Sequence, residues 1–318
     1  MKNLDVILFS AALLAPAALF PAALFPAEVS AQACPGGPQY DQTGGGCVFR
    51  AFDQTRGELS PHTQAPSADS LEAMLNSSAA PSQIASMLEY GERVECTACI
   101  PLLEHRILED SDPTVRELAA WWLRRRPLGF GAVMHDMSTV LANPSETATR
   151  RERAAAAIGE FMDPHGVDHL GQAIMTDVAA NVRAAAVRGI ARINASTGLP
   201  FLSMALRDSD PSVQLAAVSV ILRVNFFSDT SAVLPLLAAS DPALRRHAAN
   251  VVGALRATDA VPVLTAMLAG DTDRGARQTA AWALGQIGGT DALTALTAAG
   301  TAEHDSLVRD AIEHALSR

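Results

Sequence analysis

The chain has 318 residues and a formal net charge of −10, with an isoelectric point near 5.2. This acidic balance argues against nucleic acid as the main partner, because binding to phosphates requires a basic surface. Lys2 is the only lysine, so catalysis by a lysine amine is excluded from the rest of the chain.

Residues 1–33 have the pattern of a secretory signal peptide. Lys2 precedes a long apolar run that ends in the small-residue tripeptide 31–33, Ala-Gln-Ala. Three prolines interrupt the run, which argues against a permanent spanning helix because each proline removes a helix hydrogen bond. We therefore expect export across the inner membrane, to a periplasmic or extracellular location.

Cleavage after Ala33 would make Cys34 the first residue of the mature chain, as in bacterial lipoproteins. Position 31 is alanine, where those proteins usually have leucine three residues before the cysteine. A single acyl chain gives only marginal anchoring. Membrane contact is accordingly expected only if Cys34 is lipidated.

Residues 34–69 are rich in Gly, Pro, Gln and Ser and show no sustained periodicity, which predicts a disordered, mostly irregular linker. Apolar residues recur at helical spacing within residues 70–95, at 71, 74, 75, 84, 87 and 88. The region 70–95 is therefore predicted to be a helical cap that covers the exposed end of the following array.

A repeat of about 32 residues fills residues 96–318. Arg116 is the first of its anchor positions, and the steps between successive anchors are 35, 32, 31, 31, 32 and 32 residues. The six later anchors occupy equivalent places in their repeats: Arg151, Arg183, Gln214, Arg245, Arg277 and Arg309. A fixed period of this length is typical of a solenoid.

Each anchor begins a helical pattern. The residues three and four positions later are mostly small and apolar, and the residue seven positions later is larger and apolar. These offsets share one helix face, so the small residues allow a neighbouring helix to approach closely. The sequence predicts an all-α superhelix of about seven helix pairs. The second helices of the pairs are expected near 113–125, 146–160, 178–193, 211–224, 242–255, 274–287 and 305–317.

An acid stands six residues before most anchors, as in HEAT repeats of the short bacterial form that is named after phycobilisome lyase subunits. These acids are Asp110, Asp177, Asp208, Asp271 and Glu303. In that family the acid and the arginine form a hydrogen-bonded ladder between successive repeats. The resemblance implies a ladder that includes Asp110, Arg116, Asp177, Arg183, Asp208, Asp271 and Arg277.

Three positions depart from the family pattern. Ser145 and Ala239 replace the acid in two repeats, and Gln214 replaces one arginine. The ladder is therefore expected to be interrupted in the middle of the chain. The resemblance concerns the fold, and a fold alone does not define a function.

The four cysteines are Cys34, Cys47, Cys96 and Cys99, and in an exported chain they predict two disulfides. Three pairings are open, of which Cys34 with Cys47 and Cys96 with Cys99 is the most local. The Cys96-x2-Cys99 spacing also permits redox exchange, and the count permits a zinc site. Haem attachment is excluded, because Ile100 stands where a histidine is needed.

No cofactor or metal is expected. His165 and His169 are four residues apart and could share one helix face, but they lack a third convincing ligand. Some HEAT-fold hydroxylases bind iron through His-Glu dipeptides, whereas this chain has the reverse order, as at Glu104-His105. No nucleophile motif or phosphate loop indicates an enzyme.

The offsets one, five and nine residues after each anchor should face solvent on the second helices. The HEAT resemblance implies that second helices line the concave surface. Exposed Trp and Arg are enriched in binding hot spots. The expected contacts are Trp121, Trp122, Arg125, Arg188, Arg192, Arg223 and Trp282.

The sequence thus favours an exported scaffold that binds a protein or peptide through this face, and arginines there suit acidic segments. The main alternative is a redox or cofactor-handling protein that uses Cys96 and Cys99, in the service of a respiratory or electron-transfer assembly. A bilin lyase is a third alternative, suggested only by the name of the repeat family.

Overall fold

The computed structural model describes residues 39–40, 47–48 and 66–317. The predicted signal peptide and most of the predicted linker lie outside these residues, so both remain predictions. The chain divides into two units, Met1–His62 and Thr63–Arg318. In the first unit, β1 (Gln39–Tyr40) pairs antiparallel with β2 (Cys47–Val48).

The second unit is all-α. Sixteen α-helices lie within residues 66–317: α1 Ala68–Leu75, α2 Pro81–Tyr90, α3 Cys99–Glu109, α4 Pro113–Leu123, α5 Pro127–Ala142, α6 Ala148–Phe161, α7 Gly166–Thr176, α8 Ala180–Ile193, α9 Leu199–Ala205, α10 Pro211–Val220, α11 Thr230–Val233, α12 Pro242–Ala254, α13 Val261–Gly270, α14 Arg274–Ile287, α15 Gly289–Ala302 and α16 Ser306–Leu316. Helices α3 to α16 form seven pairs, which confirms the predicted α-α superhelix.

Aspartate fixes the start of most second helices. Asp112, Asp210 and Asp241 stand at the N-cap, and each carboxylate accepts hydrogen bonds from backbone N–H groups of the first turn. A proline follows each of them at the first helical position, where its missing N–H costs no helix hydrogen bond. The chain therefore turns sharply from first helix to second helix at these points.

Successive second helices approach each other closely where small residues meet. A Cβ atom placed on Gly159 of α6 would lie 2.4 Å from the Cα of Gly189 in α8. The same offsets, eight after one anchor and six after the next, bring Gly253 against Ala283 and Gly285 against Ala315. The second helices form a continuous layer with more extensive mutual contacts than the first helices make.

The arginine ladder joins successive repeats. Arg183 Nε donates to Asp208 Oδ2 at 2.7 Å and Arg245 Nε donates to Asp271 Oδ2 at 2.6 Å, in both cases with a second bond from Nη2. Arg151 with Asp177 and Arg277 with Glu303 repeat this contact. Each guanidinium also donates to a backbone carbonyl just before its own helix, as Arg183 Nη1 does to Asp177 O. The ladder therefore connects the loop of one repeat with the acid of the next.

One expected rung is wrong. The carboxylate of Asp110 pairs with Arg106 at 3.0 Å, whereas the hydrogen bonds of the Arg116 guanidinium within residues 66–317 go to the carbonyls of Asp110 and Ser111. The rung of Arg116 would need an acid at position 145, which is serine. Burial and the charge of Arg153 lower the pKa of Arg116, whereas the hydrogen bond to Asp271 raises the pKa of Arg245.

The ladder also stops at Gln214, as the sequence predicts. Gln214 Nε2 donates to Asp208 O at 2.8 Å, and the position that would supply the next acid is Ala239. The helices are irregular here, because α10 ends in a 3₁₀ turn at 221–223 and α11 has four residues followed by a 3₁₀ helix at 234–238. Phe226 lies in the intervening loop with φ 65° and is 85% exposed.

Among the described residues, no helix combines the length and apolar character that crossing a bilayer requires.

We predict that Gly159→Ala destabilises the solenoid by about 1–3 kcal/mol, because the added methyl group forces α6 and α8 apart. Gly131→Ala is the matched control, since no atom lies within 4 Å of a Cβ at that position of α5. It should be neutral or stabilising by about 0.5–1 kcal/mol. Urea unfolding followed by circular dichroism measures both effects, and an equal loss in the two variants would contradict the close approach.

Arg245→Gln should cost about 3 kcal/mol at neutral pH, because the variant leaves the buried Asp271 carboxylate unpaired. The hydrogen bond from Arg245 lowers the pKa of Asp271. The wild-type stabilisation is thus present above the ordinary aspartate pKa of about 4 and is lost as the pH falls through the lowered folded-state value. The difference in the free energy of unfolding between the variant and the wild type should become smaller as the pH is lowered.

Gln214→Ala serves as the control for this pH dependence. It removes one neutral hydrogen bond, worth about 1 kcal/mol, and breaks no ion pair. Its effect should not change between pH 7 and pH 3 in urea titrations. A loss in Arg245→Gln that stays constant with pH would contradict the assigned role of the ladder.

Candidate binding surface on the second helices

Most of the predicted contact residues lie at accessible positions of the second helices. Arg125, Arg188, Arg192 and Arg223 are exposed, and Trp121 and Trp282 are half-buried. Trp122 differs, since its side chain is only 1% exposed. The prediction that Trp122 contacts a partner is therefore wrong.

Trp122 and Arg126 fasten α4 to the cap. Trp122 Nε1 donates to Gly91 O at 2.8 Å, and Arg126 Nη2 donates to Val94 O at 2.9 Å. The Arg126 guanidinium lies 3.9 Å above the Trp122 ring. Burial lowers the pKa of Arg126, a cost that its bonds to the loop after α2 offset. These two residues are structural, and Arg126 is buried, whereas the run of arginines at 124–126 suggests a solvated helix end.

Trp121 faces outward beside an arginine that already has a carboxylate partner. The guanidinium of Arg125 lies 4.8 Å from the centre of the Trp121 ring. The same guanidinium forms an ion pair with Glu92 of the cap loop. An indole, a guanidinium and a carboxylate therefore form one cluster at this end of the layer, and Arg125 is less available to a partner than its exposure indicates.

Glu160 links three repeats. Its side chain is 5% exposed, and it pairs with Arg192 of α8 and, at 3.4 Å, with Arg124 after α4. Arg192 also lies 3.4 Å from Glu117. The sequence analysis placed Glu160 among solvent-facing offsets and missed this network. Arg192 is exposed, but its charge is balanced by the chain itself.

The charges of Arg188 and Arg223 are not paired with a carboxylate of the described chain. Within residues 66–317, neither side chain takes part in a hydrogen bond or an ion pair. Arg188 lies on α8, and Arg223 lies in the 3₁₀ turn that follows α10, the next second helix. Of the arginines predicted from the sequence, these two are the most available to an outside carboxylate.

Trp282 forms one wall of a groove between α12 and α14. The groove has a volume of about 510 Å³. Its lining consists of Arg246, His247, Asn250, Gln278, Thr279 and Trp282. His247 and Thr279 stand at offsets that the repeat arithmetic did not select, so the sequence analysis missed them.

Cys96 and Cys99 form a disulfide at the start of α3. Cys99 is fully buried and Cys96 is 6% exposed. Thiol exchange needs access to a sulfur, so this burial does not favour the redox alternative. Cys34 lies outside the described residues, and the predicted partnership of Cys34 and Cys47 remains a prediction.

The histidine pair does not form a metal site with other residues. His165 is exposed and its Nδ1 lies 2.7 Å from Asp163 Oδ1, while His169 is exposed on α7. In the part of the chain that the structure describes, no group of three or more His, Cys, Asp or Glu side chains is arranged to hold a metal ion.

Comparison with protein families matches the model for HEAT repeats at residues 167–232 and 230–317. Residues 167–317 are therefore HEAT repeats. The matched residues cover the third to the seventh helix pair, in which the ladder acids Asp177, Asp208, Asp271 and Glu303 occur. Comparison with curated protein sequences finds no match.

Two solved structures, YibA and Kap95p, share the fold at low sequence identity. The Escherichia coli protein YibA matches at 18% identity and a TM-score of 0.53, over 79% of this chain and 92% of that protein. Kap95p, in its complex with RanGDP, matches at 14% identity and a TM-score of 0.55, over 78% of this chain and 38% of that chain. The CpcE–CpcF phycocyanin lyase complex of Nostoc sp. PCC7120 matches at 20% identity and a TM-score of 0.38, over 69% and 93% of the two chains.

Charge is distributed unevenly over the HEAT solenoid. The second helices α8, α10, α12 and α14 contain no Asp or Glu, although the whole chain carries a net charge of −10. Acids near these helices stand at their N-terminal ends, where they cap backbone amides or serve in the ladder. The exposed faces of these four helices therefore present arginines and amides.

The adjacent tryptophans of this HEAT protein should respond differently to truncation. Trp122→Ala removes a buried indole and its bond to Gly91, and we expect a loss of about 3–5 kcal/mol and faster amide hydrogen exchange in α2 and α4. Trp121→Ala should cost less, about 1–3 kcal/mol, since its ring is only partly buried against the core. Equal effects would contradict the division into a structural and a surface tryptophan.

Proposed function

We propose that the protein is an exported HEAT-repeat scaffold that binds a protein or peptide partner with acidic segments through the surface of its second helices. HEAT solenoids commonly serve as protein-interaction scaffolds, because stacked repeats create extended surfaces. The observation that carries the proposal for this chain is the acid-free run of second helices from α8 to α14.

The packing supports the second helices as the concave layer. Glycine and alanine bring α6 against α8, α12 against α14 and α14 against α16 at short range. A stack whose layers differ in spacing curves toward the more closely packed layer. Arg188 and Arg223 then face the inside of the curve, where a bound segment contacts several repeats at once.

Electrostatics supports an acidic partner segment. A guanidinium pairs with a carboxylate through two parallel hydrogen bonds and is more weakly hydrated than an ammonium group. Arg188 and Arg223 have this capacity unused among the described residues. The first helices α9, α11 and α13 also contain no acid but carry no arginine either, so the unpaired arginines favour the second-helix surface for an acidic partner.

Export is part of the proposal and is supported by the signal-like residues 1–33 and by the Cys96–Cys99 disulfide. The partner is therefore sought in a periplasmic fraction. If export occurs as proposed, mass spectrometry of the mature protein from that fraction should give an N-terminus within or directly after residues 31–34.

The test uses the exported full-length protein with Arg188→Glu plus Arg223→Glu. Wild type should capture a defined protein from nuclease-treated periplasmic extract, and the double variant should bind the purified partner at least about tenfold more weakly. Arg93→Glu plus Arg309→Glu is the control, because it changes the net charge equally at exposed residues outside the α8–α14 surface. Equal loss in both double variants, or capture that nuclease abolishes, would overturn the proposal.

A further inference from the structure

The groove between α12 and α14 offers polar groups that the protein itself does not use. Within the described residues, the Asn250 amide and the His247 ring have no hydrogen-bond partner. Gln278 Nε2 donates to Leu307 O at 3.2 Å, which leaves its side-chain carbonyl open. The guanidinium of Arg246 has only a long contact, with Nε 3.8 Å from Asp273 Oδ1.

The apolar wall of the groove is positioned by a glycine. A Cβ atom on Gly253 would lie 2.8 Å from Cζ3 of Trp282, so the missing side chain allows the indole to lie against the backbone of α12. The indole remains half-exposed toward the groove. The groove thus joins an aromatic surface to a loosely paired cation and an open amide.

At the other end of the layer of second helices, an arginine beside a tryptophan already holds a carboxylate of the protein. Trp121 stands five residues after its anchor, as Trp282 does. Beside Trp121 the guanidinium of Arg125 holds the carboxylate of Glu92, which comes from the protein itself. Near Trp282 the carboxylate closest to Arg246 is that of Asp273, which caps α14 and stays 3.8 Å away, and neither α12 nor α14 contains an acid.

We propose that the Trp282 groove, defined by its six lining residues, binds an acidic side chain of an extended partner segment together with the apolar side chain next to it. The carboxylate pairs with Arg246 and the Asn250 amide, and the apolar side chain packs on the Trp282 ring. This inference rests on the proposed function, because it names the chemistry of one contact on the same surface.

The chain has three tryptophans, so 5-fluorotryptophan labelling gives one ¹⁹F signal for each. Trp282→Phe identifies the Trp282 signal, and Trp121→Phe identifies the Trp121 signal. The probe is the blocked peptide Ac-Gly-Leu-Glu-Leu-Gly-NH2, and the matched peptide has Gln in place of Glu. The Glu peptide should shift the Trp282 signal saturably and leave Trp121 unchanged. The Gln peptide should bind at least about tenfold more weakly.

Arg246→Gln should abolish the shift, while Arg93→Gln should preserve it, since Arg93 is an exposed residue of the cap loop. A Trp282 signal that does not move, or that moves equally with both peptides or in Arg246→Gln, overturns the groove assignment. The two proposals fail separately. If Arg188→Glu plus Arg223→Glu weakens partner binding while the Trp282 signal stays fixed, the surface binds its partner but the groove is not the acidic contact.

Discussion

The bond between an anchor arginine and the acid of the next repeat is the interaction on which the stack depends. Each guanidinium satisfies carbonyls of its own loop and pairs with a carboxylate that in turn caps the following turn, as Asp271 accepts from Asp273 N at 2.9 Å. One arginine side chain therefore connects the loop of its own repeat, the acid of the next repeat and the turn that this acid caps. The ladder arginines are engaged within the fold, so the proposed binding surface uses arginines at other offsets of the same helices.

The ladder is interrupted at the irregular centre of the solenoid. Gln214 and Ala239 are complementary losses, because a glutamine cannot reach across a repeat and an alanine leaves no buried carboxylate unpaired. The helices beside this rung are short, and Phe226 occupies a left-handed conformation that is costly for a bulky residue. A missing rung alone does not shorten helices, because α5 and α6 follow the missing rung of Arg116 and have 16 and 14 residues. The exposed Arg223 lies just before this loop, so one of the two unpaired arginines of the surface coincides with the least regular repeat.

The repeat arithmetic predicted the helix pairs because periodicity is a local signal that each repeat restates. The repeat arithmetic failed where a residue contacts a part of the chain that lies outside the repeats. Position six after an anchor is Gly or Ala in four of the six later repeats, and at Gly189 and Ala283 it meets the preceding second helix. In the first repeat that position is Trp122, and its neighbour is the cap loop at Gly91, which leaves room for an indole. Comparing this offset across the repeats could have revealed a buried tryptophan.

Ion pairs between side chains are the second feature that the position of a residue within its repeat does not predict. Trp121 and Trp282 are equivalent in sequence, yet Glu92 neutralises the guanidinium beside the first, and no acid of α12 or α14 occupies the groove beside the second. Glu92 belongs to the cap, so its effect on Arg125 depends on tertiary contact. A solenoid can therefore present the same residue type along its length and still concentrate recognition in a few repeats, because neighbours outside the repeat decide which cations remain available.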